Sequence, residues 1–362
     1  MLFEEERISM DKRVYGLDVL RFISMCGIIC VHILGAGGLL DSVPEGSCLY
    51  WGYYFLQIIV VASVDIFALL SGYLGYGKER LNGVRFIELI GNVLIYSFVI
   101  TGLFTVFYKD SIVGIRGLIK EGLFPSFGGG YWYITNYIPL YLFAPYLNRL
   151  INILSKRDHR KLCVLLIIVF SVLPSVTAYD LFVLNRGYSF VWLVICYILG
   201  AFLKRVQIID KRVTVVNIIF LPFIILCGNV LIYQILGYNL GYMNSYISPI
   251  TLGVAIAVFI LVKDFNPPFV LRKIVMLLSC LSFDVYIIHC HLLIYNNLIS
   301  DSFVWISDYP IILIPIVIFV NVIAIYLVCV LIASIKNKIL KFIKVDLLYE
   351  KIGRRISYTI GK

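Results

Sequence analysis

Long runs of apolar residues, separated by short polar and basic segments, recur from one end of the chain to the other. Runs of roughly 17 to 25 apolar residues are long enough to cross a bilayer as helices. We predict such spans at roughly 15–37, 51–75, 86–108, 131–148, 161–178, 188–203, 213–236, 247–262, 274–298 and 310–335. The pattern therefore predicts an all-α, polytopic membrane protein with about ten transmembrane helices.

The composition agrees with this pattern and excludes a soluble protein. Hydrophobic residues make up 61% of the chain and charged residues only 14%, whereas soluble domains are roughly half apolar. The sequence has no Pro- or Ser-rich linker and no low-complexity tract. We therefore predict one integral-membrane domain over 1–362, with the spans in 15–335 and a basic cytoplasmic tail over 336–362. The nine cysteines fall mostly inside apolar spans and imply no disulfide framework.

The net charge of +10 raises the question of nucleic-acid binding, but the positions of the basic residues answer it. Of the 31 Lys and Arg residues, 26 fall on the same side as the amino terminus when the loops are assigned alternately. This asymmetry follows the positive-inside rule and places both termini in the cytoplasm. The charge therefore reflects membrane topology, with no nucleic-acid partner, and the tail is expected to lie against anionic lipid.

The first apolar run contains a cation and an imidazole. Arg21 and His32 are eleven residues apart, which on a helix places both side chains on one face, about 16 Å apart along the axis. Charged groups within a span are costly and commonly mark functional sites. Asp18 shares this face, so an alternative is a simple Asp18 to Arg21 ion pair, with His32 bonded to a neighbouring helix.

The second span and its inner loop continue this polar character. Asp65 lies mid-span and needs a partner, for which we expect Arg21; a purely structural ion pair between the two helices is the alternative. Ser71 follows near the inner end. The next loop carries the basic residues Lys78, Arg80 and Arg85, which are able to meet phosphates but are equally explained as topology signals.

Further along, polar and aromatic residues mark two more regions. The ninth span contains Asp284, Tyr286, His289 and His291. On a continuous helix Tyr286 and His289 share one face and Asp284 and His291 another, and histidines two residues apart diverge by about 200°, so we predict no metal site. A predicted surface helix in the loop 109–130 ends before the aromatic pair Trp132 and Tyr133, where we place a membrane-interface belt.

Together these residues resemble a known family, the membrane-bound acyltransferase family 3. The resemblance rests on four matches in the family's order: the basic residue Arg21 separated from His32 by ten intervening residues, the Ser71-Gly72-Tyr73 segment after Asp65, Trp132-Tyr133 with Tyr141 and Pro145, and the Tyr-x-x-His of Tyr286 and His289. The family's frequent Arg-x-x-Arg at the third helix is not matched, because Arg85 is followed three residues later by Glu88.

The resemblance implies a function and assigns roles. Members transfer an acyl group, commonly acetyl from cytoplasmic acetyl-CoA, to a hydroxyl of a cell-surface glycan or its lipid-linked precursor. It implies a multi-pass protein of the bacterial cell membrane, with acetyl-CoA as donor substrate, no bound cofactor, and a separate extracytoplasmic transferase as a possible partner. The roles carried over are catalysis by His32 and Arg21, a supporting network of Asp18, Asp65, Ser71, Tyr286 and His289, donor binding by Lys78, Arg80 and Arg85, and acceptor-side contacts by Trp132 and Tyr133.

The chemistry leaves alternatives open. His32 is suited either to act as general base toward an acceptor hydroxyl or to carry the acyl group transiently. A glycan flippase or polymerase would share the basic inner loops, and a proton-coupled transporter would use the membrane carboxylates and histidines as a relay. Within the family, a small molecule, amino acid or lipid could replace the glycan as acceptor.

Overall fold

The structure, a computed structural model, describes residues 13–108, 119–120, 122, 130–206, 211–236 and 244–360. Every regular element in these ranges is a helix. The main helices are α1 (Tyr15–Leu34), α2 (Cys48–Gly75), α3 (Gly83–Phe107), α4 (Trp132–Ile153), α5 (Lys156–Thr177, with a π-turn at Ile168–Val172), α6 (Phe190–Arg205), α7 (Lys211–Leu236), α8 (Pro249–Val262), α9 (Phe269–Cys280), α10 (Ser282–His289), α11 (Ile314–Phe342) and α12 (Val345–Ile360). The all-α prediction is confirmed.

Five of these helices are long and apolar enough to cross a membrane by length and composition: α1, α2, α3, α5 and α11. This finding supports a multi-pass membrane protein. The count of about ten spans and the cytoplasmic position of both termini stay predictions. The predicted surface helix in 109–130 falls almost entirely outside the described residues.

Helix α2 lies at the centre of the bundle and packs against α1, α6 and α8. Its closest crossing is with α6, where a Cβ on Gly72 would lie 2.0 Å from the carbonyl oxygen of Tyr197, and one on Gly200 would lie 2.0 Å from that of Leu69. Small residues allow helices in membranes to approach closely, where lipid supplies no hydrophobic force between them. These two glycines therefore fix α6 against α2.

The predicted ninth span, 274–298, is not one continuous helix. Helix α9 ends at Cys280, Leu281 adopts a non-helical conformation (φ −94°, ψ 1°), and α10 ends at His289. The side chain of His291 then accepts a hydrogen bond from the backbone N–H of Leu293 and begins a new helical segment. The prediction that Asp284 and His291 share a face is therefore wrong, because the helical register is broken between them.

Asp284 instead pairs with a residue that the sequence placed in the basic tail. Lys336, near the end of α11, donates to Asp284 at 2.5 Å and to Asn92 at 2.8 Å, and Tyr96 also donates to Asp284 at 2.9 Å. Lys336 is 9% exposed, so it is a buried residue of the bundle and not part of an interfacial tail. This ion pair joins α3, α10 and α11.

The remaining tail forms α12, which packs along α3. The hydroxyl of Ser357 accepts a hydrogen bond from the backbone N–H of Gly83 at the start of α3 (2.8 Å). Since the first N–H groups of a helix have no partner within it, this contact stabilises the beginning of α3. The position of α12 on anionic lipid stays a prediction.

Candidate functional site

A cavity of about 1190 Å³ runs through the helix bundle. One end, which we call the basic end, is lined by Arg21, Lys78, Arg80 and Arg85. The other, which we call the aromatic end, is lined by Trp132, Tyr188 and Tyr246. The two ends therefore differ completely in charge.

Helix α4 shows how far apart the two ends are. Asn148, near its carboxyl end, donates to the backbone carbonyls of Gly75 (2.9 Å) and Lys78 (2.7 Å). Trp132 begins the same helix sixteen residues earlier, which corresponds to about 24 Å at 1.5 Å per residue. The cavity thus extends over most of the thickness of a bilayer's hydrocarbon core.

Arg21 and His32 both line this cavity, and Met25 and Ile28 line it between them. All four lie on α1, so the helical repeat alone places them on one face. Arg21 belongs to the basic end, and His32 lies about 16 Å further along the axis. The cation and the imidazole therefore face the same internal space.

Asp18 holds Arg21 in place near the start of α1. It accepts hydrogen bonds from Arg13 (2.6 and 3.0 Å), Arg21 (3.0 Å) and the Ser279 hydroxyl (3.0 Å). The Asp18 to Arg21 ion pair considered in the sequence is thus present. Arg21 gives Asp18 one of its five N–H donors, so donors remain for the cavity side.

Asp65 is not the partner of Arg21, and that prediction is wrong. Its carboxylate is completely buried and accepts a hydrogen bond from the indole N–H of Trp192 on α6 (2.9 Å). Asp65 is absent from the cavity lining, because its side chain points toward α6 and Arg21 is already held by Asp18. It contributes to packing between α2 and α6.

His32 meets the end of α10. Its Nδ1 lies 4.0 Å from the sulfur of Cys290, and its ring centroid lies 5.2 Å from those of His289 and Tyr295. His289 is only 1% exposed, whereas His32, Cys290 and Tyr295 line the cavity. The break after α10 brings Cys290 beside the imidazole of His32.

The contacts of this cluster favour one tautomer of His32. Nδ1–H of His289 donates to the carbonyl of Val285 (2.6 Å), so its Nε2 is free to accept from the Cys290 thiol (3.4 Å). The sulfur is then the weak acceptor for Nδ1–H of His32. In this arrangement Nε2 of His32 is the nitrogen that can take a proton.

The same cluster is also the group of side chains in the described part of the chain that could hold a metal ion. His32, His289 and Cys290 each offer one ligand atom, and all three atoms lie within 4.8 Å of one another. Ligands of a tetrahedral zinc are about 3.4 to 3.7 Å apart. The sulfur of Cys290 lies 3.4 Å from Nε2 of His289, which is within this range. It lies 4.0 Å from Nδ1 of His32, which is longer.

At the basic end, the cations influence one another. The pKa of Lys78 is lowered from its usual 10.5 by burial and, secondarily, by the positive charges of Arg85, Lys204 and Arg21. Like charges held together without enough matching carboxylates favour the binding of an anion. Lys78, Arg80 and Arg85, which the sequence suggested as donor-binding residues, all line the cavity.

Trp132 and Tyr133 both line the cavity but face different parts of it. Trp132 packs against Tyr188 (4.5 Å between ring centroids) and Tyr246 (5.7 Å) at the aromatic end. Tyr133 packs instead against Tyr286 (5.9 Å) and Tyr137 (6.0 Å). The rings of Trp132 and Tyr133 also contact each other, with 5.6 Å between their centroids, so the pair predicted from the sequence stays together and links the two groups of rings.

Two other predicted site residues, Ser71 and Tyr286, border the cavity. The hydroxyl of Ser71 donates to the carbonyl of Phe67 in its own helix (3.1 Å). Tyr286 lies 6.2 Å from His289 between ring centroids. Both contribute to the wall between the two ends.

Three cavity residues able to take part in binding or chemistry, Cys290, Tyr188 and Tyr246, were not predicted from the sequence. Cys290 directly follows the Tyr-x-x-His segment, and this adjacency was an available signal. Tyr188 and Tyr246 each lie at the start of a predicted span, where aromatic residues usually indicate the membrane interface. Only their position on the cavity wall distinguishes them from such a belt.

Comparison with known proteins identifies the family of this chain. The family model of the acyltransferase family 3, an acyltransferase domain, matches residues 14–334, a range that includes every cavity residue named above. Comparisons with curated proteins and with solved structures gave no match. The chain therefore belongs to acyltransferase family 3 and is a membrane acyltransferase.

Proposed function

We propose that this protein transfers an acetyl or similar acyl group from cytoplasmic acyl-CoA to a hydroxyl of a cell-surface polysaccharide or its lipid-linked precursor. The observation that carries the proposal is a single cavity that joins a cluster of cations to an imidazole about 16 Å away. An acyl-CoA has this same layout, with phosphates at one end and a thioester at the end of a flexible arm.

The basic end suits the phosphates of the donor. Arg21, Lys78 and Arg85 line it, and guanidinium groups bind phosphate through paired hydrogen bonds. The positive-inside distribution of Lys and Arg supports a position of this end toward the cytoplasm, where acyl-CoA is made. Arg80 and the amide of Asn82 complete the same wall.

His32 suits the chemical step. Nε2 takes the proton of the acceptor hydroxyl while the oxygen attacks the thioester carbonyl carbon. The carbon–sulfur bond then breaks, and the coenzyme A thiolate leaves and is reprotonated by the imidazolium. The same nitrogen could carry the acyl group between two such steps, as an acyl-imidazole. A separate extracytoplasmic transferase could take over the product in either case.

The experiment uses membrane vesicles of a bacterial host that contain the full chain. Labelled acetyl-CoA is supplied on the cytoplasmic side, and ester-linked label is measured on the envelope glycan. We expect label in the glycan, and a parallel gain of one acetyl mass compared with glycan from a strain without the chain. Solute uptake without any acetyl ester would instead favour a transporter and contradict the proposal.

A further inference from the structure

The aromatic end of the cavity carries an inference about the acceptor, which rests on the proposed function. We propose that Trp132, Tyr188 and Tyr246 form a subsite that binds an uncharged sugar ring by stacking. Here these three residues are called the aromatic box. The proposal assigns a substrate class, neutral pyranosides, to a site of which the sequence identified only Trp132.

The three rings contact one another and present a continuous apolar surface. The centroids of Tyr188 and Tyr246 are 4.9 Å apart, and Trp132 is nearly parallel to Tyr246, with 19° between their planes. The C–H groups on one face of a pyranose carry partial positive charge, and an aromatic face carries partial negative charge. Such a surface therefore suits a sugar ring.

All three rings border the internal cavity. In an interfacial belt, Trp and Tyr side chains lie at the membrane surface with their rings among the headgroups. Here all three residues line the internal cavity, and Tyr246 is only 7% exposed. Tyr188 is 43% exposed, which leaves one side of the aromatic box open to an entering ligand.

The backbone around the aromatic box is held in an unusual conformation. Val183, Asn185 and Arg186 have φ values near +50°, and Gly187 has a φ of +102°. The carboxylate of Asp180 accepts hydrogen bonds from the backbone N–H groups of Leu184 and Asn185, at 2.6 and 2.8 Å.

Gly187 is required for contact with the aromatic box. A Cβ at this position would lie 2.5 Å from the Cβ of Tyr246. On the other side, the Ser171 hydroxyl donates to the carbonyl of Ile247 (2.6 Å), next to Tyr246. Non-glycine residues in the left-handed region are costly and concentrate at functional sites. The aromatic box is thus preorganised from two sides.

Charge decides which sugars the site prefers. The charged side chains that line the cavity in the described part of the chain are Arg21, Lys78, Arg80 and Arg85, all at the basic end. An acidic sugar held at the aromatic end would lie at the opposite end of the cavity from these four side chains, and a buried charge without a counter-ion is strongly unfavourable. The site therefore favours neutral sugars over uronic acids.

The test uses the full chain in lipid nanodiscs and saturation-transfer NMR, with aromatic protons saturated. The probes are the methyl glycosides of glucose, galactose and N-acetylglucosamine, and the methyl glycoside of glucuronic acid, which matches glucose except for its carboxylate. We expect transfer to at least one neutral glycoside and none to the glucuronide. An equal signal from the glucuronide, or no signal from any neutral glycoside, overturns the proposal.

Variants test whether the saturation transfer comes from the aromatic box. Trp132→Ala and Tyr246→Ala should weaken the binding of the neutral glycoside about tenfold, the loss expected for one aromatic contact. Tyr246→Phe, which keeps the ring, should retain binding. Trp305→Ala is the matched control, since Trp305 is an exposed tryptophan outside the cavity lining. Unchanged binding in both alanine variants contradicts the aromatic box as the site.

Binding of acetyl-CoA to the same samples separates two kinds of failure. If acetyl-CoA does not bind the unaltered protein, the proposed function fails and this proposal fails with it. If acetyl-CoA binds but the neutral glycosides do not, the acyltransferase function stands and only the assignment of the aromatic box is wrong. Acetyl-CoA binding by the alanine variants also shows that they are folded.

Discussion

The two ends of the cavity are built on opposite principles. The basic end gathers four cations on loops and helix starts, and its electrostatic field attracts anions over several ångströms. The aromatic end has three rings, of which Tyr188 follows a strained backbone segment, and it acts only on contact. In the proposals above, one end recognises charge and the other recognises shape, and the acyl transfer takes place at His32.

We expect the largest effect on the rate of acyl transfer from the replacement of His32. His32→Ala should lower kcat for acyl transfer about 10²- to 10⁴-fold, the usual contribution of a general base, with little change in the KM for acyl-CoA. The measurement is a rate of ester formation in vesicles with matched protein amounts. The control is His159→Gln. His159 lies on α5, contacts the carbonyl of Ile198 on α6 and does not line the cavity. An unchanged rate in His32→Ala removes this residue from the mechanism.

Next in size is the charge of the basic end. Arg85→Gln should raise the KM for acyl-CoA about ten- to a hundredfold, since a hydrogen bond to a charged group contributes roughly 1.5 to 3 kcal/mol. The KM for the acceptor should not change. Arg149→Gln removes a cation that bonds to the Glu79 carbonyl outside the cavity, and it should have no effect on either KM. A parallel rise in the acceptor KM would contradict the separation of the two ends.

A smaller effect should follow from pH. Burial and neighbouring cations lower the pKa of Lys78 from 10.5, so this residue loses its charge at a lower pH than an ordinary lysine. Affinity for desulfo-coenzyme A, which lacks a titrating thiol, should therefore be present at neutral pH and fall a few-fold as the pH rises toward 10.5.

The matched variant for that experiment is Lys78→Arg. Because arginine stays charged over this range, the variant should keep its affinity at alkaline pH. Calorimetric titration of both proteins over the same pH series gives the comparison. If both lose affinity at the same pH, another group is responsible.

The smallest expected effect is that of a chelator. A general base needs its nitrogen free, so 1,10-phenanthroline should leave acyl transfer unchanged even though His32, His289 and Cys290 could together hold a metal. The assay is repeated with the chelator removed and zinc added. Inhibition that zinc reverses would make His32 a ligand and not a base.

Local sequence patterns predicted the helices and the register of α1. Arg21 and His32 face one cavity because helical periodicity is a property of consecutive residues. The basic residues of the loop after α2 were likewise recognisable, since their charge and position are local. Where the chain departs from continuous helix, as between α10 and His291, the same periodicity gave a wrong result.

Only the tertiary structure decided which residues distant in sequence contact one another. Asp65 meets Trp192 across 127 positions, Lys336 meets Asp284, and Cys290 lies beside His32 from 258 positions away. An apolar helix can pack on many neighbours, and its composition does not say which. The sequence therefore determined which chemical groups each helix carries and on which face, whereas packing determined which groups meet, because a contact depends on the relative placement of whole helices.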